Sequence, residues 1–459
     1  MEPLLSDLFP AVDKSAWLTQ VQKELKSNQP DGTPYESLRW HTDEGFVVDP
    51  YYTAEDLNHL PLATIQAAQK QLPGWLNTPA YPITNEKSAN NTLRNSLVNG
   101  ADALILALSD QVDLIQLLDG IKLSETPVFF KATDPRALLD KLRLIAPYQW
   151  QGGLLIDPIA HWLQTGTSLR DSLAEIADVT KAATHSPQFR TVCASSHLFH
   201  NAGATATQEI AFLLASLADQ YDYLTDAGLP IEQLIAKTTL SVSVGTSYFV
   251  EMAKLRALRV LINRFLNHYS TIPIQAPLIH CQTSTFYDAA ATPYTNLLRA
   301  TTEAMAAVMG GCDVLTVHSY DSVLNQSATN SNREFSERIA RNVSILLSQE
   351  SYLSKVADPS AGSYYVETLT HQLAESAWAL FLDVEKQGGF ERAFTSGFIP
   401  AEIEGAYQSK QEAVRRGKVL VGVTKFRVDE GSIQPGSSVQ LEPNEKPLLP
   451  NHRLPEAFE

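Results

Sequence analysis

The sequence is poor in cysteine. Cys193, Cys281 and Cys312 are its three cysteines in 459 residues, far apart and with no Cys-x-x-Cys pair. That excludes a disulfide framework or a zinc knuckle and leads one to expect a reducing, cytoplasmic setting. Positive charge is also scarce. Against 51 Asp and Glu stand 35 Lys and Arg, a net charge of −16, so nucleic acid and anionic membranes are poor bulk partners. No apolar run approaches the roughly 18 residues of a membrane span. Residues 1–14 carry acids and lack the apolar or Arg-rich pattern of a leader. Charged residues amount to 19%, below the usual share of about a quarter, which points towards surface given over to subunit contact. Dinucleotide, P-loop, H-E-x-x-H and G-x-S-x-G patterns are all missing.

What is present is rhythm. Short apolar runs at 103–108, 128–132, 154–157, 191–195, 239–244, 277–282, 314–319 and 363–367 alternate with helical patterns, notably at 204–227, 248–266, 294–309 and 335–349. Eight such β–α units predict an α/β protein, a (β/α)8 TIM-type barrel. Residues 1–90 read as an N-terminal arm available for subunit contact. The barrel is expected over 91–385, a C-terminal helix and strand extension over 386–429, with the strand at 419–425, and a Pro-rich tail over 430–459.

In a closed parallel barrel, ligands meet the C-terminal ends of the strands. The predicted strand ends supply Asp157, Ser195, His197, Ser243, Gln282, Ser284 and His318. That set is polar enough to line a pocket, but Ser and Asp at such positions also cap helices. His197, His200 and His318 lack the spacing and neighbouring carboxylates of a metal site, so no metal is expected. His280 falls inside a strand, where a hydrogen-bonded core role is expected. The small residues Cys193, Ala194, Ser195, Ser241 and Ser243 leave open whether the barrel axis is a channel or is filled.

Longer motifs carry a resemblance. WHTDEGFVVDPYYTAEDL at 40–57, NAGATATQEIAFLLA at 201–215, VEMAKLRALR at 250–259, HCQTS at 280–284, TEAMAAVMGG at 302–311, SERIARN at 336–342, VADPSAGSYYVE at 356–367 and LVGVTKFR at 420–427 follow one another in order. Together they resemble the acyl-CoA mutase family, and within it methylmalonyl-CoA mutase. The resemblance implies a radical rearrangement between methylmalonyl-CoA and succinyl-CoA, driven by adenosylcobalamin. Departures from the family pattern imply that this chain does not perform it. The family's Tyr-His pair falls on His197 and Leu198, its Arg before the HCQTS histidine on Leu278, and its Gln-Asn pair on Ile156 and Asp157. The family's Asn at the seventh strand end falls on His318. Leucine offers neither a hydrogen bond to a thioester carbonyl nor a fork for a carboxylate. The arm's Arg-Gln-Tyr-Ala-Gly core is replaced by LNTPAYPIT at 76–84, and the Asp-x-His-x-x-Gly cobalt-binding motif is missing. The resemblance therefore implies a small, non-catalytic subunit. Such a subunit has no catalytic or cofactor-binding residues of its own. Its partner is a large catalytic subunit that holds the adenosylcobalamin, and a vestigial acyl-CoA pocket is conceivable. The other reading is a catalytic barrel that borrows its cobalamin domain from a separate chain.

Overall fold

The computed structural model describes residues 12–25, 34–109, 111–269, 276–324, 330–428 and 447–459. Its centre is a ring of eight strands. β1 comprises Leu76–Asn77 continued by Ala80–Pro82. It is followed by β2 (Leu104–Ala107), β3 (Val128–Lys131) and β4 (Gly152–Leu154). β5 comprises Phe189–Arg190 continued by Val192–Ser195, then come β6 (Thr238–Val244), β7 (Leu278–Thr283) and β8 (Val314–Thr316). Each pairs in parallel with the next, and β8 returns to β1 through Val314 opposite Leu76. The two five-stranded sheets share β1 and β5, so the ring closes as a (β/α)8 barrel.

The expected fold class is thus found, with one strand exchanged. The run at 363–367 is not the eighth strand. Ser363 caps helix Tyr364–Lys386, its side chain accepting from the Val366 amide. The missing strand is β1, inside the stretch read as arm, so the barrel begins well before residue 91. Pro79 and Pro82 gave that stretch the look of a breaker. In the fold, Pro79 sits where β1 changes neighbours: the Thr78 amide donates to Leu315 on one side, and the Pro79 carbonyl accepts from Ile105 on the other. A residue with no N–H fits that joint at no cost to the ladder.

One further expectation is corrected. Residues 419–425 form a turn, closed by amides of Val423 and Thr424 on the Leu420 carbonyl, with a single bridge from Val421 to Lys425. They lack the neighbouring ladder that a strand needs. Of the expected tail, residues 430–446 lie outside the described residues. The remainder lies against the barrel, with amides of Leu448, His452 and Leu454 donating to carbonyls of Leu163, Asn201 and Phe286.

Apolar side chains fill three large compartments and a small one at Phe286, Val414 and Leu454. Two lie between strands and surrounding helices, the larger built on helices Ala206–Asp226, Tyr248–Leu266 and Tyr364–Lys386. The third lies inside the ring: Ala103, Ile105, Phe129, Leu155, Cys193 and Val314, with Leu76 and Leu278 packed on them. These are the inward residues of their strands. They decide the question left open by the sequence: the axis is filled.

Candidate functional site

Above that apolar plug lies a polar layer. His197, the first residue of helix His197–Ala202, reaches β6 with both ring nitrogens, Nδ1 at 2.7 Å from Ser243 Oγ and Nε2 at 2.7 Å from Ser241 Oγ. Ser241 Oγ lies 2.7 Å from His280 Nδ1, and His280 Nε2 lies 3.0 Å from Thr316 Oγ1. Thr316 donates to the Thr78 carbonyl at 2.7 Å.

The far end of this chain sets its direction. Because Thr316 gives its proton to a carbonyl, it accepts from His280 Nε2–H. His280 Nδ1 then accepts from Ser241, which accepts from His197 Nε2–H, whose Nδ1 accepts from Ser243. Both imidazoles are neutral in this arrangement. Burial first, and then the charge of Lys131, lower their pKa values, that of His197 well below the usual 6.5 and that of His280 to about 3. The polar layer therefore ties β1, β6, β7 and β8 together, and His280 has the hydrogen-bonded core role expected of it.

A pH prediction follows. His280 is 1% exposed, and its folded pKa lies below its unfolded one. The unfolded chain therefore takes up a proton below about pH 6.5 that the fold refuses. Stability from this group is present above that pH and lost as pH falls towards 3. Relative to His280→Gln, the unmodified chain should lose about 1.4 kcal/mol per pH unit below 6. Urea unfolding of both at pH 7, 6 and 5 measures the difference. Parallel profiles would show the ring to be charged in the fold.

The other predicted residues disperse. Asp157 caps helix Pro158–Thr165, accepting from the amides of Ile159 (2.9 Å) and Ala160 (3.3 Å), while its second oxygen accepts from the Ser195 amide at 2.7 Å. Burial outweighs these bonds and raises its pKa to about 7. Ser195 Oγ accepts from the His197 amide at 3.3 Å. Ser284 turns away from the axis: its Oγ lies 2.7 Å from His200 Nε2. Gln282 faces inward with His280, and His318 is anchored by its amide on Thr283 Oγ1 at 2.8 Å. Leu198 is buried in the outer apolar core, and Leu278 packs on the plug inside the ring.

Behind the wall lies a second cluster that the sequence reading passed over. Glu209 accepts from Lys254 (3.1 Å), Ser196 (2.9 Å) and His200 Nδ1 (2.8 Å), and Lys254 also pairs with Glu251 at 2.6 Å. Burial pushes the Glu209 carboxyl up, and Lys254 and His200 more than offset it, holding the pKa at about 2. The available signal was Glu209, Glu251 and Lys254 set among apolar neighbours in two helices, charges that must find partners once buried. Among the described residues, no three His, Cys, Asp or Glu side chains are grouped to hold a metal ion, and no helix is long and apolar enough to cross a membrane.

Comparison with known proteins gives the context. The profile for methylmalonyl-CoA mutase matches residues 83–446. The chain belongs to the methylmalonyl-CoA mutase family. It is 33% identical to the methylmalonyl-CoA mutase small subunit of Porphyromonas gingivalis, over 93% of this chain and 71% of that protein. The small subunit of Streptomyces virginiae is 29% identical over 91% and 71%. Identity to the methylmalonyl-CoA mutase of Rhizobium meliloti is 30%, over 90% of this chain and 64% of that one. Of the histidines described here, His197, His200 and His280 do not fit a cobalt-ligating role. His197, His200 and His280 each have both ring nitrogens hydrogen-bonded, and breaking any of them would leave a buried partner unpaired.

Proposed function

We propose that this chain is the non-catalytic small subunit of a heterodimeric, adenosylcobalamin-dependent methylmalonyl-CoA mutase, with the cofactor and the chemistry on the large subunit. The observation that carries this reading is the filled axis. Leu76, Ile105, Phe129, Leu155, Cys193, Val314 and Leu278 occupy the space through which a long thioester would thread, and the His197–Ser241–His280–Thr316 chain closes the layer above. Leu198 lies in the outer core and Leu278 on the plug, so neither position where the resemblance expects a proton donor or a guanidinium offers one to a thioester. Losing one such donor typically costs about 10²–10³ in rate. The names of the small-subunit relatives support the same assignment.

The chain alone, mixed with adenosylcobalamin, is expected to leave the corrin absorbance unchanged and to give no isomerisation of methylmalonyl-CoA. Co-expressed with a full-length mutase chain, it is expected to elute with that chain at the size of a one-to-one complex. Leu198→His alone should not create turnover. Isomerisation by this chain supplied only with a free-standing cobalamin-binding protein would replace this reading with that of a catalytic barrel.

A further inference from the structure

The rim of the barrel mouth carries a groove, and a distant piece of the same chain lies in it. The groove stands on helix Phe398–Arg415. Lys410 of that helix donates to the carbonyls of Gly203 (2.9 Å) and Ala204 (2.6 Å), in the segment that follows β5. Tyr407 packs so closely on Gly203 that a Cβ there would lie 2.7 Å from its own Cβ. The Tyr407 ring also faces that of Phe286, in the segment that follows β7, with centroids 6.2 Å apart. One wall thus comes from beyond β5 and the other from beyond β7. None of these contacts uses residues 447–459, so the groove is built without them.

Residues 448–459 occupy it. The amides of Leu448, His452 and Leu454 donate to the carbonyls of Leu163, Asn201 and Phe286 at 2.8, 2.7 and 2.8 Å, one bond to the segment beyond each of β4, β5 and β7. The His452 ring stacks on Tyr407, with centroids 4.2 Å and planes 6° apart. Leu454, 1% exposed, fills the small compartment with Phe286 and Val414. Arg453 donates to the Asp288 carbonyl at 2.8 Å, and the Glu459 carboxylate accepts from the amides of Ala290 and Ala291. Main-chain bonds at intervals with side-chain anchors between them are how a groove holds an extended peptide. The segment adds no strand to the ring, and its one helical piece is the single turn Leu454–Ala457. Its Leu454 anchor sits apart from the three large compartments, and Leu449 enters the larger one. Eighteen residues, 429–446, separate it from Val428, a tether that can span about 60 Å and does not force it into place.

We propose that the rim groove is a peptide-binding site and that residues 447–459 are its ligand, held in cis. The segment leaves and re-enters as a unit while the ring stays folded. In place, it staples the segments beyond β4, β5 and β7 to one another. Specificity comes from Leu454 in its compartment and from His452 on Tyr407. A piece held by a few loop bonds and one satellite cluster belongs to the low-stability end of a fold, where local opening precedes global unfolding. The site is a property of the chain by itself and stands whether or not a large subunit is its partner.

The test keeps every part of the chain present. A recognition sequence for a site-specific protease replaces residues 434–440, and the purified full chain is cut there. Excess fluorescein-labelled synthetic peptide of sequence 447–459 is then expected to displace the cut segment, seen as a saturable rise in anisotropy with the near-ultraviolet circular dichroism of the barrel unchanged. The same peptide carrying Leu454→Asp should bind at least about ten-fold more weakly, the worth of one buried leucine. In the uncut chain, hydrogen exchange at the amides of His452 and Leu454 should run on the order of 100-fold faster than in β6. Leu454→Asp in the full chain should speed exchange at 197–203 and 285–291 and leave β6 as it was. Peptide uptake only in denaturant, equal binding of the Leu454→Asp peptide, or loss of the fold on cutting or in Leu454→Asp would overturn the proposal. So would exchange at His452 and Leu454 as slow as in β6, or unchanged exchange at 197–203 and 285–291 in the variant.

Discussion

Arg256→Met is expected to lower the unfolding free energy by about 3–5 kcal/mol, the usual cost of removing one partner of a buried ion pair. Arg256 lies in helix Tyr248–Leu266 and is 1% exposed. One arm of its guanidinium donates to Glu367 Oε2 at 2.8 Å and the other to Asp358. Glu367, fully buried in helix Tyr364–Lys386, also accepts from the Gly362 amide at 2.9 Å and from Gln66 at 3.3 Å. One guanidinium thus joins two helices of the larger core and the turn at Asp358, and Glu367 in turn holds Gln66 of the segment leading into β1. Without it, the Glu367 charge stays in the interior with only neutral donors. Equilibrium urea unfolding measures the loss. The double variant Arg256→Met, Glu367→Leu should recover most of it, because the expense is the stranded carboxylate and not the missing attraction. A single-variant loss below about 1 kcal/mol would mean that this pair does not organise the core.

The second large effect is expected at Gly152→Ala. β4 is squeezed between its neighbours. Gly152 has φ +103°, and a Cβ placed there would lie 2.1 Å from the Val128 carbonyl oxygen, while one on Gly153 would lie 2.3 Å from that of Arg190. Both obstacles are backbone and cannot swing aside. Positive φ and a backbone collision together put the cost at about 4 kcal/mol or more, seen as loss of soluble protein or a collapsed melting temperature. The control is Gly166→Ala. Gly166 also has positive φ (+71°) but has nothing within 4 Å of the added carbon, so its cost should stay near 1 kcal/mol. Equal effects at the two sites would show that conformation alone, and not the closeness of β3, makes Gly152 necessary.

The barrel was legible because buried parallel strands are apolar runs separated by amphipathic helices. The helix expected at 248–266 has those bounds, and 204–227 and 294–309 differ from the structure by one or two residues at an end. β1 was not legible, since two prolines masked it and its two short pieces pair with different neighbours. The strand-end residues were legible as a set but not as a site. Periodicity places Ser195, His197, Ser243, Gln282 and His318 near one another, yet it cannot show that His197 has both nitrogens engaged or that Ser284 faces His200 behind the wall. Those outcomes depend on rotamers chosen by partners far away in the chain.

The ring closes between β8 and β1, and this has a kinetic meaning. Every other neighbouring pair of strands is joined by a local β–α step, but Leu76 and Val314 meet only after nearly the whole barrel has been made. During synthesis the outer edges of β1 and of the newest strand stay unpaired, and such edges invite association with other chains. Pro79 and Pro82 at the early edge and the two-piece build of β1 make it a poor template for a stranger's strand. What looks like a flaw in the seam therefore also guards the nascent chain until its own last strand arrives.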